Sequence, residues 1–347
     1  YKGCKEHGGL EKKKIDELWA LIEPFAAYGF NKAHAASYGM VAYKTAYLKA
    51  NYTAEYLTAC MTAESGDIET CGEYIAEARR MGFTILPPDV NESFSDFTVV
   101  VDDAGVPTTN IRFGLGNIKN FGDEIGKAII LERKAHGPFR TIEEFLERVT
   151  HKNLNKKSLE ALVMCGAMDA FGERGILLAN TETLLGFHKG VTKNDSAQTS
   201  LFFGMTEEPK SVLTIAPAEP ATMEQKLAWE KELLGLYISG HPLDRFASQI
   251  EKSGNTVASL MAQTKARNQM LVAMVESVKP LITKSNTRMA FVTLSDKTGT
   301  AEAVIFPESF KEFGSVLVEG VAVAVLCGVS EKNDRKSLLI DKVKVVS

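Results

Sequence analysis

At 347 residues the chain has room for two or three domains, and its 45% hydrophobic and 24% charged residues are the balance of an ordinary globular protein. Its longest apolar runs, such as Gly320 to Val329, are strand-sized and exclude a membrane-spanning helix. A net charge of −4 speaks against binding polyanions everywhere on the surface, yet local potential decides such binding, and the charge is unevenly spread.

Residues 1–52 carry eight cations against five acids, 107–160 ten against seven, and 265–347 twelve against nine. Residues 191–232 reverse the balance, with seven acids against four cations. Three mildly basic blocks therefore flank an acidic stretch. The five cysteines form no C-x-x-C pair and the six histidines have no ligand spacing, so neither a zinc ribbon nor a disulfide framework is expected. The start Tyr-Lys-Gly-Cys, without Met or a signal-peptide pattern, reads as the interior of a longer cytoplasmic protein with no membrane partner.

Residues 11–86 read as helical throughout. Glu11 to Ile22 has helical spacing and is expected to stop at Pro24. A second helix spans about Lys32 to Asn51, a third Ala54 to Glu64, and a fourth Asp67 to Met81, ended by Gly82. Ser95 to Val101 and Ile111 to Leu115 alternate like strands. Helical pattern resumes near Asp123 and runs to about Phe187. Residues 188–222, rich in Thr, Ser, Glu and Pro, read as a linker, and helices return from Thr222 to Leu234 and around Arg245 to Glu251. Period two then takes over, with strands near 270–283, 288–296, 300–306, 316–329 and 336–346 and one short helix at Glu308 to Phe313. Five strands with a helix between the third and fourth is the element order of an OB barrel.

Four segments carry chemistry. In the first, a glycine turn brings Asn31, Lys32 and His34 to the start of a Tyr- and Ala-rich helix, with Tyr38 one turn on. Unpaired helix-start amides beside cations suit an anion such as a phosphate, although the same residues also make a capped helix. In the second, Ile118, Lys119, Asn120, Phe121 and Gly122 lead into a helix bearing Lys127, the pattern of a helix-hairpin-helix turn whose amides grip a DNA phosphate without reading sequence. Asn120 stands where such turns usually have Gly, and tolerates left-handed geometry better than most residues. A second such turn is expected at Gly166 to Gly172.

In the third, Gln198, Thr199, Ser200, Leu201 and Phe202 lie in the acidic linker, where exposed Leu-Phe-Phe is costly unless something covers it. In the fourth, Lys284, Arg288, Phe291 and Lys297 cluster around the barrel's clearest hairpin and offer stacking and phosphate attraction to a single strand. Phe291 and Phe306 alternate with Val292 and Ile305, so one member of each pair must be core.

The run Phe25 to Tyr52 resembles the fingers signature of the alpha subunits of bacterial C-family replicative DNA polymerases, and the likeness extends over nearly the whole chain. It implies a multidomain protein: an all-α distal fingers portion (1–94), a tandem helix-hairpin-helix domain (95–190), a linker with connecting helices (191–265) and a β-barrel OB-fold (266–347). By resemblance Asn31, Lys32, His34 and Tyr38 lie near an incoming deoxynucleoside triphosphate. The hairpins and barrel meet primer-template DNA, both duplex and single-stranded, and Gln198 to Phe202 dock on a beta sliding clamp. Other replicase holoenzyme subunits are implied as partners. The reaction needs Mg2+ held by palm carboxylates, partly as Asp-x-Asp; this chain contains no Asp-x-Asp, so it is expected to bind no metal and not to polymerise DNA alone. The alternatives are a stand-alone, non-catalytic DNA- and clamp-binding protein, or a damage-induced relative of the replicative subunit.

Overall fold

A computed structural model describes residues 1–28, 31–197, 213–283, 285–332 and 335–346. The chain divides into two compact units, Tyr1–Tyr56 and Leu57–Ser347.

The first unit is helical: α1 (Lys2–Glu6), α2 (Lys12–Tyr28), α3 (Lys32–Asn51) and the opening of α4 (Thr53–Ala63). Helix α3 has the expected bounds, but α2 does not stop at Pro24; it runs through it to Tyr28. An interior proline removes one backbone bond and costs about 3 kcal/mol, a penalty that a 17-residue helix can absorb.

In the second unit α5 (Ile68–Arg80) ends at Gly82, whose φ of +89° turns the chain out of the helix. The following residues are not helical as expected. Thr84–Leu86 form strand β1, which pairs in parallel with β3 (Pro107–Arg112), while β2 (Thr98–Val101) lies antiparallel on the other side. Three residues have no readable period; β1 exists because β3, more than twenty residues on, supplies its hydrogen bonds and because Ile85 is buried.

Helices α6 (Asp123–His136), α7 (Ile142–Arg148), α8 (Lys156–Met164), α9 (Arg174–Ala179) and α10 (Thr181–Ala197) follow around a core that includes Ile125, Ile129, Phe145, Leu146, Leu159, Leu162 and Met168. Asn155 and Ser158 form a capping box that starts α8. Helix α10 continues well past residue 188, where the linker was expected to begin. His188 is buried and its Nδ1 lies 2.9 Å from the Leu146 carbonyl oxygen, so packing carries the helix into a polar sequence. Residues 213–222 lack regular structure, as the composition suggests, but they are pinned. The Asn180 amide bonds both backbone groups of Ala216 (2.8 and 2.9 Å), and Glu173 accepts the Ala221 N–H at 3.1 Å.

Helix α11 (Met223–Leu234), a 3-10 turn (Pro242–Phe246), α12 (Ala247–Ser253) and α13 (Val257–Met261) lead to the barrel. Its strands are β4 (Ala266–Ile282), β5 (Arg288–Asp296), β6 (Gly299–Ile305), β7 (Ala322–Lys332) and β8 (Arg335–Val345), with α14 (Pro307–Phe313) after β6. They close in the order β4-β5-β6-β8-β7, with β6 and β8 parallel, which is the OB topology. The fourth barrel strand starts at Ala322, six residues later than its apolar run, because Gly314 to Val321 are spent turning the chain out of α14. Inward residues such as Leu271, Ala273, Val292, Leu294, Ala303, Ile305, Val325 and Leu338 fill the barrel.

Candidate nucleic-acid interface

In the first unit Asn31 is the N-cap of α3: its Oδ1 accepts the Ala33 N–H at 2.9 Å. Lys32 stands exposed on the first turn, and the His34 and Tyr38 rings meet at 4.2 Å one turn apart. All four sequence-derived residues thus sit at the start of one helix, with Tyr38 66% exposed. No side chain of α3 is buried, although the helix carries Met40, Val41, Tyr43, Tyr47 and Leu48.

In the second unit the first hairpin has the geometry its sequence requires. Asn120 adopts φ 68°, the left-handed conformation that a turn glycine would supply. Ile118 and Phe121 are buried and wedge the turn against α6, so their side chains cannot be DNA contacts; Lys119, Asn120 and Gly122 face solvent. Two hairpin amides are already used, with Lys119 N–H donating to the Leu233 carbonyl (2.9 Å) and Phe121 N–H to Ile118 (3.2 Å). Gly122, the N-cap of α6, offers no capping side chain, so no side chain caps the first-turn amides there. Lys127 bonds Asp123 at 2.6 Å and lies 3.8 Å from Glu124, so part of its charge is spent within the helix. The Lys127 hydrogen bond holds the Asp123 carboxyl below its usual range.

The second hairpin, between α8 and α9, turns at Gly166 with φ +87°. Its surroundings were not read from sequence. Arg174, only 3% exposed, bonds Asp169 through Nε (2.9 Å) and Nη2 (2.8 Å), the Met164 carbonyl through Nη1 (3.2 Å) and fully buried Glu230 at 2.9 Å. Burial opposes the guanidinium charge, but Asp169 and Glu230 outweigh it and raise its pKa above an already high value. A signal was available: Leu227, Glu230 and Leu234 share one face of α11, and a carboxylate in an apolar stripe needs a buried partner.

On the barrel the alternation resolves cleanly. Val292 and Ile305 are core, whereas Phe291 (48% exposed) and Phe306 (51%) lie outside. Phe291 stands opposite Val304 on β6 and Lys279 on β4. Phe306 follows β6, still extended and two residues beyond Val304, which makes it a diagonal neighbour of Phe291 on the same face. Arg288 is exposed at the start of β5. Lys297 is committed elsewhere, since its Nζ bonds Asp244 of the 3-10 turn. Burial works to raise the Asp244 carboxyl, yet Lys297 and the His241 amide prevail and hold it below its usual range. Lys284 and the peptide Gln198 to Phe202 lie outside the described residues. Among the described residues no three His, Cys, Asp or Glu side chains converge as a metal site, and no helix is long and apolar enough to cross a membrane.

Residues 82–175 match the helix-hairpin-helix motif family and residues 270–346 the OB-fold nucleic acid binding domain family. The chain is 38% identical over 341 residues to the DNA polymerase III subunit alpha of Thermus aquaticus, covering 97% of this chain and 27% of that protein. It is 37% identical to that of Deinococcus radiodurans (93% and 24%) and 34% to that of Borreliella burgdorferi (96% and 29%). Nearly the whole chain is therefore similar to one segment of the alpha subunit of bacterial DNA polymerase III. It spans about a quarter of the length of these relatives. Among solved structures, the second OB-fold domain of replication protein A from Methanococcus maripaludis aligns over 27% of the chain at 15% identity with a TM-score of 0.22, a likeness too distant to bear on function.

Proposed function

We propose that this chain is the DNA-holding and partner-tethering portion of an alpha subunit that extends a primer on a template during chromosome replication in the cytoplasm. The parent reaction is attack of the primer 3′-hydroxyl on the α-phosphate of an incoming deoxynucleoside triphosphate. Its Mg2+ ions would be held by parts of the longer relatives that this chain does not span, so the chain alone is inactive. At the start of α3, Lys32 and His34 neutralise charge on the triphosphate, and Asn31 keeps the helix start in place. The first hairpin, with its uncapped helix start and exposed Lys119, holds the duplex through phosphate contacts. Gln198 to Phe202 dock on the sliding clamp, Leu201 and Phe202 entering an apolar pocket while the Gln198 amide bonds its rim. Other holoenzyme subunits join through the same parent protein.

The observation that carries the DNA reading is the half-exposed pair Phe291 and Phe306 beside Lys279 on the outer barrel face, a stacking platform next to a cation for single-stranded template. Titrating a fluorescent oligothymidine with the whole chain tests it. Phe291→Ala with Phe306→Ala is expected to weaken binding by roughly 1–3 kcal/mol per lost stack while leaving the melting temperature nearly unchanged, because neither ring belongs to the core. Unaltered affinity would remove the barrel from the template path.

A further inference from the structure

The two hairpins within residues 82–175 differ in what occupies them. A hairpin that grips a phosphate must let it approach the backbone at the turn glycine, with helix-start amides unspent. At Gly166 that approach is filled by protein: a Cβ built there would lie 2.3 Å from Arg174 Nη2. The amides that open α9 are also used, since Glu173 accepts from Gly175 (2.7 Å) and Ile176 (3.2 Å). Ala167 and Met168, in the turn itself, are buried.

The connector after α11 completes the closure. One Glu230 oxygen accepts the N–H groups of Ile238 (2.8 Å) and Ser239 (2.9 Å); the other takes Arg174 Nη1 and the Ser239 hydroxyl. Arg174 Nη2 also reaches Ser239 Oγ at 3.3 Å. The guanidinium thus holds a carboxylate of its own chain where a hairpin of this kind would hold a phosphate. Admitting a phosphate would mean pulling Arg174 from Asp169 and stranding the buried Glu230 charge.

We propose that the second hairpin is a socket for the chain's own connector and takes no nucleic acid, so that duplex contact from this domain falls to the first hairpin alone. The proposal rests on the duplex-holding reading above. Helix α11 and the same connector also tie to the barrel: Lys231 of α11 bonds Glu276 of β4 at 3.1 Å, and Asp244 of the connector bonds Lys297. The socket therefore sets where the barrel stands relative to the first hairpin.

The test compares Ala170→Glu, a charge placed on the exposed rim of the second turn, with Lys119→Glu on the first. Both sites are solvent-facing, so neither substitution endangers folding. Binding of a blunt fluorescent duplex to the whole chain is followed by anisotropy at two salt concentrations. The expected result is a loss of about tenfold and a shallower salt slope for Lys119→Glu, with Ala170→Glu within about twofold of the parent. A comparable loss in Ala170→Glu overturns the socket assignment while leaving duplex holding intact. If the parent chain binds no duplex, or neither substitution changes its binding, the duplex-holding reading fails and the socket proposal with it.

Discussion

Gly166 and the Arg174 guanidinium occupy adjoining space that admits no side chain between them. With φ +87° and a would-be Cβ 2.3 Å from Nη2, Gly166→Ala has to strain the backbone and displace the guanidinium together. Displacement breaks the ion pair with fully buried Glu230, so a loss on the order of 3 kcal/mol is expected, read as a lower urea midpoint with an unchanged slope. A loss within about 0.5 kcal/mol, the range of an ordinary surface change, would show that Arg174 is not fixed there. Asn120 makes the opposite point at the first hairpin. A non-glycine residue holds the left-handed turn there, and its side chain is exposed, which leaves room for a ligand.

Among the elements, α9, the strap 213–222 and α11 meet at Glu173. Burial pushes its carboxyl up, but the Lys226 ammonium at 2.9 Å and the amides of Ala221, Ile176 and Gly175 together prevail and hold it at about 2, against an ordinary 4.5. A depressed folded-state pKa contributes stability above the unfolded value, and that contribution disappears as pH falls from about 4.5 towards 2. Glu173→Gln is therefore expected to be less stable than the parent at neutral pH, with the gap closing as pH approaches 2. Urea midpoints measured across that window decide it; a gap that stays constant would mean that the strap is not held by the charge. The barrel faces follow a simpler rule. Period two assigns one side of β5 and β6 to the core, and closure leaves Phe291 and Phe306 outside.

At the scale of the whole molecule, holding DNA and holding a clamp are separable if the docking peptide acts as a tether. Leu201→Ala with Phe202→Ala is expected to abolish binding of the chain to a purified sliding clamp and to leave duplex and single-strand affinities unchanged. Surface plasmon resonance on immobilised clamp, with DNA titrations alongside, measures both. Clamp affinity retained in the double variant would move the docking site elsewhere.

Much of this protein is written locally. The cap at Asn31 and the bounds of α3, the start of α11 at Thr222, and the succession of barrel strands with a helix after β6 all follow from short-range pattern, because capping and period two are properties of neighbouring residues. The hairpin at 118–122 was legible for the same reason, down to the unusual Asn120. Distant partners decided the rest. Strand β1 exists because of β3, the strap is held by Asn180 and Glu173, and the second hairpin is filled because Glu230, 56 residues beyond Arg174, turns inward to meet it. Sequence alone determined which elements form and which residue types stand ready for phosphate and base. Tertiary structure decided which of those residues remain available, since a charge is open to a ligand only where no other part of the chain reaches it first.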